Sequence, residues 1–463
     1  MKSLKNYLYM LTLILGIATI LRTSVQTKAM TLSADSAIVM DVQSGTILYE
    51  KNMDKKEYPA SITKVMTAML AIENSSLEEV VTYSSQSLQL ESGASNIGIV
   101  EGEKLTMEES LYAILLMSAN EACNGVAEHI AGSTDKFVEM MNARAKELGC
   151  TGTHFANTNG LWLKNHYTTA HDMGLIARAA YNNPTFAKIT GTKRYVIGKT
   201  NKCKTGHYLH NHHGMLLAGS YPQYVYEYCV GGKTGYTSKC RYTLVTYAKK
   251  NGMTLVSVVM RSDAPWMKNN EYSDTTKLLN SCFEKYSRYN IQDDATETVN
   301  SQYLFTRFSP FFSKETSSIS VDEDAGVLLP KGVTLADTEK KVSFLETADG
   351  ALVNGKKVIG HISYTYKGQE VGGSDIYYKQ SKILQLNDSI DMSGWFTDAV
   401  ENANKEPFPW KKFFLILILS LVVLVVGFYI VQRLMAEREQ RARRKRYKKS
   451  KKNTRRMGHH DRW

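Results

Sequence analysis

The chain lacks the cysteine pattern of a metal centre. Its 463 residues include six cysteines, none at metal-ligand spacing: Cys123, Cys150, Cys203, Cys229, Cys240 and Cys282. In an exported protein, six cysteines allow many sets of disulfide pairs, and the sequence does not choose among them. A cysteine-rich metal domain is therefore excluded, while disulfide pairing stays open.

The folded part of the chain also lacks excess positive charge. The whole sequence has a formal net charge of +12, but residues 432–463 carry 14 Lys or Arg against three acids, a net of +11, and residues 1–29 add +4. Residues 30–431 are therefore left at about −3. This balance excludes a nucleic-acid-binding fold, which needs a basic surface. No internal repeat is visible, so a repeat architecture is excluded too.

The sequence contains three short motifs. They are SITK at 61–64, SAN at 118–120 and KTG at 233–235, separated by 57 and 115 positions. Side chains three apart on a helix lie on one face, so the Lys64 amine can reach the Ser61 hydroxyl. The order and spacing predict an acyl-transfer site with an activated serine.

The first motif is predicted to open a helix over 61–71, after Pro59 and Ala60. A helix N-terminus favours the negative charge that develops when a serine attacks a carbonyl. A free lysine, with a pKa of about 10.4, is too basic to accept that proton at neutral pH. Burial and a neighbouring cation, for which Lys233 is the candidate, are expected to lower the pKa of Lys64.

Two similar patterns elsewhere are interpreted differently. Ser133 and Lys136 repeat the first spacing, but Ser133 is predicted to cap a helix over 136–148. A second KTG at 204–206 precedes a polar, His-rich segment predicted as a loop. Lys233 is preferred because residues 241–260 alternate as two strands across Asn-Gly, a strong hairpin signal.

The second motif falls between two predicted helices. Thr106 and Glu109 form a capping box that opens a helix over 107–116, and a second helix is predicted over 121–130. Ser118 and Asn120 alone would be ordinary linker residues. Beside the other motifs, Ser118 becomes a candidate for relaying a proton to the leaving group, and Asn120 for holding a substrate amide.

With these motifs the chain resembles the low-molecular-weight penicillin-binding proteins, the serine-type D-alanyl-D-alanine carboxypeptidases of bacterial walls. The stretches at 145–149, 153–155, 159–161, 166–170 and 172–173 match that family as well, and the similarity covers about residues 33–288. The resemblance implies an α/β fold of the penicillin-binding-protein/β-lactamase type, an antiparallel sheet covered by helices. It also implies peptidoglycan stem peptides as substrates, β-lactam antibiotics as inhibitors, and neither a cofactor nor a metal.

The resemblance implies three catalytic residues. Ser61 is acylated by the penultimate D-alanine of a stem peptide, with Lys64 as general base. Ser118 passes the proton to the departing D-alanine. Water then hydrolyses the ester.

Substrate-binding roles are implied for five further residues. Lys233 and Thr234 receive the terminal carboxylate, and Gly235 allows the substrate backbone to approach the strand closely. The backbone N–H of Tyr236, with that of Ser61, forms the oxyanion hole. Asn120 holds the substrate amide.

This sequence departs from the family pattern in two places. Ala119 replaces the usual glycine of the second motif, a small change. The arginine that often precedes a glutamate and helps bind the carboxylate is replaced by Asn270 before Glu271, with Lys268 nearby. The second departure leaves substrate preference open.

The ends of the chain predict where the reaction takes place. Residues 1–29 are predicted to be a signal peptide cleaved near Ala29, a retained anchor being the alternative. Residues 413–431 form 19 uncharged positions, close to the length of a membrane-spanning helix. The basic tail at 432–463 is then cytoplasmic and the catalytic domain extracellular, on a single-pass protein of the cell membrane. The tail either lies on anionic lipid or stays free.

Between these ends the exported part is too long for one ordinary core. Residues 30–288 are predicted to form the catalytic domain, with a hairpin over 36–51 pairing with the 241–260 strands. Residues 289–383, rich in short strand patterns, are predicted as a small β domain that acts as a spacer or a binding module. Residues 384–412 are predicted as a tether.

Several alternatives stay open. A transpeptidase would pass the acyl group to an amine, a β-lactamase would need a deacylating glutamate that is not evident, and a non-catalytic wall-binding protein would not need the intact motifs. Two weaker hypotheses are a catalytic thiol at Cys123 and a metal site among His207, His210, His212 and His213. Serine acyl transfer requires neither.

Overall fold

The computed structural model describes residues 30–219, 222–263, 269–299, 319–345, 352–353 and 356–378. The predicted signal peptide, tether, 413–431 span and basic tail lie outside these residues, as does Lys268. Within the described ranges, no helix has the length and apolar character needed to cross a membrane.

A five-stranded antiparallel sheet forms the centre of the catalytic region. Its strands are β1 (Ser36–Asp41), β2 (Ile47–Lys51), β7 (Cys229–Thr237), β8 (Arg241–Lys250) and β9 (Met253–Ser262). They lie in the order β2-β1-β9-β8-β7. The predicted hairpins are both present, and the early hairpin pairs with the late one through β1 and β9.

Both faces of this sheet are covered, as the alternation of apolar residues in β1 requires. Ile38 and Met40 point into one core, which they share with the helices between β2 and β7. Ala37 and Val39 point into the opposite core, where Leu279 packs from a helix after β9. Because strand side chains alternate between faces, one fully buried strand with an apolar centre contacts two helical layers. The result is the α/β architecture that the sequence predicted.

The helical layers are formed by seven helices in this region. They are α1 (Lys64–Asn74), α2 (Met107–Leu116), α3 (Asn120–Ala131), α4 (Thr134–Glu147), α5 (Ala170–Tyr181), α6 (Pro184–Thr190) and α7 (Asn270–Lys285). The capping box at Thr106 and Glu109 is formed with both reciprocal hydrogen bonds. Ser133 accepts a hydrogen bond from the Lys136 backbone N–H, so this pair is a helix cap.

Two small two-stranded sheets are also present. β3 (Val80–Thr82) pairs with β4 (Lys104–Thr106), and β5 (Arg194–Ile197) pairs with β6 (His207–His210). The prediction of a loop after residue 206 was wrong at this point. The four residues of β6 form a strand because β5 supplies the backbone partners, a tertiary pairing that local composition does not reveal.

A second antiparallel sheet follows α7. Its strands are β10 (Tyr286–Asn290), β11 (Ile319–Val321), β12 (Gly326–Pro330), β13 (Glu339–Phe344), β14 (Leu352–Val353), β15 (Lys356–Tyr366) and β16 (Gln369–Tyr378). A helix, α8 (Gln292–Val299), lies between β10 and β11, where the sequence predicted that helices give way to strands. The proposed domain boundary at 288/289 falls within β10 and stays a prediction.

Candidate active site

The nucleophile lies on a tight turn in front of α1. Residues Ala60–Thr63 form a single 3₁₀ turn, and the α-helix begins at Lys64, so the predicted helix starts three residues later than expected. Lys64 Nζ nevertheless donates a hydrogen bond to Ser61 Oγ at 2.9 Å. The i,i+3 contact is kept because a 3₁₀ turn also brings residues three apart onto one face.

Lys64 is completely buried and has two more acceptors. Its Nζ lies 2.9 Å from Asn120 Oδ1 and 2.6 Å from the Asn159 carbonyl oxygen. Neither oxygen carries a full charge. The amine is thus aimed at the serine without a carboxylate that would hold it protonated.

Burial lowers the pKa of Lys64 to about 8, because the charged form loses its hydration. Cys123 and then Glu121 act in the opposite direction. The sequence predicted that burial and the Lys233 cation would act together; burial does lower this pKa, and Lys233 is not among its causes. The repulsion between the two amines acts on Lys233 instead.

Ser118 lies in the break between α2 and α3 with a left-handed backbone, at φ 60°. It is 5% exposed, and its hydroxyl has no hydrogen-bond partner among the described residues. A buried hydroxyl left unpaired costs roughly 1–3 kcal/mol. This unpaired group lies two positions before Asn120, which contacts Lys64.

Asn120 is the first residue of α3 and joins the second motif to the first. Its backbone N–H and its side-chain Nδ2 both donate to the Ser95 carbonyl oxygen, at 2.9 Å and 2.7 Å. These two bonds orient Oδ1 towards Lys64. The segment around Ser95 therefore fixes one wall of the site, a role the sequence did not indicate.

The third motif lies on β7, at the edge of the central sheet. A methyl group at Gly235 would lie 2.9 Å from the Ser61 backbone nitrogen, so strand and nucleophile are in close contact. Thr243 on the neighbouring strand donates its hydroxyl to the Pro59 carbonyl at 2.7 Å, which ties the nucleophile turn to the sheet. First and third motifs therefore meet, as the sequence predicted.

The side chains of the third motif differ in exposure. Lys233 is buried, and its Nζ donates to the Thr234 carbonyl oxygen at 2.9 Å. Burial first, and then the Lys64 amine, lower the pKa of Lys233 well below its usual range. Thr234 is half-buried, and Tyr236 is 56% exposed, with its ring 4.5 Å from that of Tyr242.

A loop before α5 supplies contacts that the sequence did not assign. Besides the Asn159 carbonyl, Gly160 lies against Ala60 with φ 87°, and any side chain there would collide with the Ala60 carbonyl group. His166 Nε2 lies 2.9 Å from Thr63 Oγ1, and burial lowers the pKa of this histidine to about 3. The Asn-Gly pair was a turn signal, but its partner at position 60 could not be read from the sequence.

The structure also describes the other candidates from the sequence, the Asn270-Glu271 pair and Cys123. Asn270 opens α7 and donates to Ser33 Oγ at 3.3 Å, and the Glu271 carboxylate accepts from Asn269. Neither side chain carries a positive charge, so these two positions do not supply the charge of the usual arginine. Cys123 is fully buried in α3, and burial raises the pKa of its thiol to about 11, which argues against a catalytic thiolate.

The four clustered histidines do not converge on one point. His207 faces Glu103, His213 faces the Val245 carbonyl, and the rings of His210 and His212 contact each other with centroids 5.0 Å apart. All six cysteines are free.

Comparison with known proteins decides which family has this arrangement. The D-alanyl-D-alanine carboxypeptidase family matches residues 23–264, more than half of the sequence. The chain belongs to the D-alanyl-D-alanine carboxypeptidase family. It is accordingly a serine-type hydrolase with the penicillin-binding-protein fold, as the motifs predicted.

Individual relatives extend the match. D-alanyl-D-alanine carboxypeptidase DacF of Bacillus subtilis is 29% identical over 353 residues, which cover 75% of this chain and 85% of the relative. A solved D-alanyl-D-alanine carboxypeptidase from Mycobacterium tuberculosis is 30% identical with a TM-score of 0.51, over 56% of this chain and 95% of that one. A Streptomyces DD-transpeptidase is also 30% identical, with a TM-score of 0.50 over 55% of this chain and 98% of that one.

Proposed function

We propose that this chain removes the terminal D-alanine from peptidoglycan stem peptides through an acyl-enzyme on Ser61, and that penicillin acylates the same hydroxyl. The observation that carries the proposal is the 2.9 Å hydrogen bond between Lys64 Nζ and Ser61 Oγ, with the lysine fully buried. Its pKa of about 8 leaves part of the amine neutral near pH 7. A neutral amine in contact with a hydroxyl is a general base.

Acylation begins when Lys64 takes the Ser61 proton as Oγ attacks the carbonyl carbon of the penultimate D-alanine. The oxyanion accepts hydrogen bonds from the backbone N–H groups of Ser61 and Tyr236. The close approach of Gly235 to the Ser61 nitrogen supports this pairing. Loss of one such donor typically costs about 3–4 kcal/mol of transition-state stabilisation.

Substrate binding offsets the burial of Lys233. In the free protein, burial disfavours its ammonium form. A terminal carboxylate beside Lys233 and Thr234 favours that form. The positive charge of Lys233 in turn disfavours a proton on Lys64, which keeps the base neutral.

The leaving amine receives its proton through Ser118 as the C–N bond breaks. The unpaired buried hydroxyl of Ser118 supports this role, because the substrate supplies the partner it lacks. Asn120 Nδ2 already donates one N–H to the Ser95 carbonyl oxygen, so Asn120 acts mainly by orienting Lys64. Its second N–H is left to donate to the substrate. Water then attacks the ester, and Lys64 accepts its proton.

The reaction is tested with the full-length chain and a peptide ending in D-alanyl-D-alanine. Wild type is expected to release free D-alanine and to retain labelled penicillin, and Ser61→Ala to do neither. Ser133→Ala is the matched control, because Ser133 has the same spacing to a lysine but caps a helix. Release of D-alanine by Ser61→Ala at the wild-type rate would disprove the assignment of the nucleophile.

A second candidate is transpeptidation, favoured by the similarity to the Streptomyces DD-transpeptidase. The two reactions share the acyl-enzyme and differ in the acceptor. Adding a peptide amine to the same assay distinguishes them: a crosslinked product indicates transfer, and unchanged D-alanine release without product indicates hydrolysis.

We also propose that the protein is anchored in the cell membrane, with its catalytic domain outside. Residues 1–29 direct export, residues 413–431 span the membrane, and residues 432–463, with a net charge of +11, stay on the cytoplasmic side. Deleting 413–463 is expected to release a penicillin-binding protein into the medium or the soluble fraction. Retention of the shortened protein in the membrane fraction would contradict this anchor.

A further inference from the structure

Apart from the reactive serine, the structure contains a group of three potential metal ligands. Glu103, Cys203 and His207 each present one donor atom, and these atoms lie within 4.8 Å of one another. Glu103 and His207 are buried, and Cys203 is half-buried. Within the described part of the chain, no other set of three His, Cys, Asp or Glu side chains meets this condition. We call these residues the three-donor cluster.

The three donors are held on short, well-defined elements. Glu103 directly precedes β4, and His207 is the first residue of β6. Cys203 lies in the connection between β5 and β6, where its N–H donates to Thr200 Oγ1 at 2.8 Å and its carbonyl accepts from the Thr200 N–H at 2.9 Å. The backbone thus fixes the position of the thiol before any ion binds.

The orientation of His207 is that of a metal ligand. Its Nδ1 lies 3.1 Å from the Ile97 carbonyl oxygen, which can only accept, so Nδ1 carries a proton. Nε2 then faces Glu103 Oε1 at 2.8 Å. Metal-binding histidines commonly donate their other N–H to a backbone carbonyl in this manner. Nε2 is therefore the ring nitrogen left to coordinate an ion, with the Glu103 carboxylate beside it.

Glu103 is oriented from outside the cluster as well. Its Oε1 accepts the Thr200 hydroxyl at 2.7 Å, and its Oε2 accepts the Val100 N–H at 3.0 Å. Both carboxylate oxygens are therefore held in place by groups outside the cluster before any ion binds.

We propose that Glu103, Cys203 and His207 bind a zinc ion through a carboxylate oxygen, Sγ and Nε2, with water as the fourth ligand. Zinc takes four such ligands in a tetrahedral arrangement, and a thiolate favours zinc over magnesium or calcium. Binding replaces the proton of the Cys203 thiol, because zinc is bound by the thiolate. The ion takes no part in the chemistry at Ser61.

The site would stabilise the wall of the catalytic cleft. The segment that gives its Ile97 carbonyl to His207 also gives the Ser95 carbonyl to Asn120, and the Ile97 N–H donates to Glu121 at 2.7 Å. An ion that fixes His207 therefore also fixes the segment that orients Asn120. Zinc is expected to raise the thermal unfolding temperature and to leave the acylation rate nearly unchanged.

The test uses the full-length chain, freed of metal with a chelator and dialysed against zinc chloride alone. Wild type is expected to bind one zinc per chain, and Cys203→Ser and His207→Asn to lose affinity by more than about 100-fold. Matched controls are His210→Asn, an exposed histidine on the same strand, and Cys150→Ser, the other half-buried thiol. Both controls should bind zinc like wild type. Acylation by labelled penicillin checks that each variant is folded.

Replacing zinc with cobalt(II) provides a second measurement that does not depend on stability. A thiolate-to-cobalt charge-transfer absorption is expected in wild type and His210→Asn, and none in Cys203→Ser. Wild type that binds no zinc, equal affinity in Cys203→Ser, or a cobalt complex without the thiolate band would each overturn the proposal. None of these results depends on whether Ser61 is the nucleophile.

Discussion

At the scale of single residues, the site depends on a lysine that is buried without a carboxylate partner. Its acceptors are a serine hydroxyl, an amide oxygen and a backbone carbonyl. The amide and carbonyl oxygens can only accept, so they take two N–H groups of the amine. The third position of the amine, which faces the serine hydroxyl, is an N–H in the charged form and a lone pair in the neutral form. The pKa of Lys64 is therefore set mainly by burial, and the acylation rate should follow its titration.

We expect the rate constant for acylation by labelled penicillin to rise with pH through about 8, the pKa of Lys64. Only the neutral amine accepts the Ser61 proton, so below this pKa the rate should fall about tenfold per pH unit. Rates measured from about pH 6 to about pH 10 check the profile. Lys136→Ala, at the cap with the same spacing, should leave it unchanged. A flat profile would show that another group accepts the proton.

At the scale of elements, the nucleophile turn is held from two sides. The sheet contacts it through Gly235 and the Thr243 hydroxyl, and the loop before α5 contacts it through Gly160 and Asn159. Ala60 in this turn adopts φ 52°, an uncommon conformation for a residue with a side chain. Surrounding contacts have to impose it.

Gly160→Ala is expected to destabilise the protein and slow acylation. Its methyl group would meet the Ala60 carbonyl, and φ 87° adds left-handed strain. The control is Gly93→Ala, which has φ 81° but nothing within 4 Å, so it reports the backbone strain alone, about 1–2 kcal/mol. Urea unfolding should show a loss for Gly160→Ala that exceeds the control by about 2 kcal/mol or more. Equal losses would mean that the turn relaxes without cost.

Short-range signals were enough to predict most elements and the central contact of the site. The capping box, the Asn-Gly hairpin and the i,i+3 pair of Ser61 and Lys64 all act within a few residues. The sequence could not show that Ser95 orients Asn120, or that Asn159 accepts from Lys64 across 95 positions, since folding alone brings these groups together. The helix α8 was missed although Asp293 and Asp294 in its first turn are a helix-start signal.

At the scale of the whole molecule, the six free cysteines differ sharply in accessibility. Cys123, Cys229, Cys240 and Cys282 are buried, whereas Cys150 and Cys203 are half-buried. Burial raises the pKa of Cys150 to about 12, so its thiolate is scarce at neutral pH.

We therefore expect a single fast-reacting thiol in the native, metal-free chain. Alkylation at neutral pH followed by mass analysis should label Cys203 first, and denaturant should make all six thiols reactive. The Cys203→Ser variant should show no rapidly alkylated thiol under the same native conditions. Fast labelling of several thiols in the native chain would contradict the described burial. Thiols that stay unlabelled after denaturation would indicate disulfides.

The pairing of β1 with β9 determines when this protein can become active. Ser36 faces Met260 across the centre of the sheet, although more than two hundred positions separate them in the chain. The nucleophile turn is synthesised early, yet the strand that completes its cleft emerges from the ribosome far later. Contacts so distant in sequence form slowly. A nascent chain should therefore gain no antibiotic-binding capacity until nearly all of its first 262 residues are available to fold together.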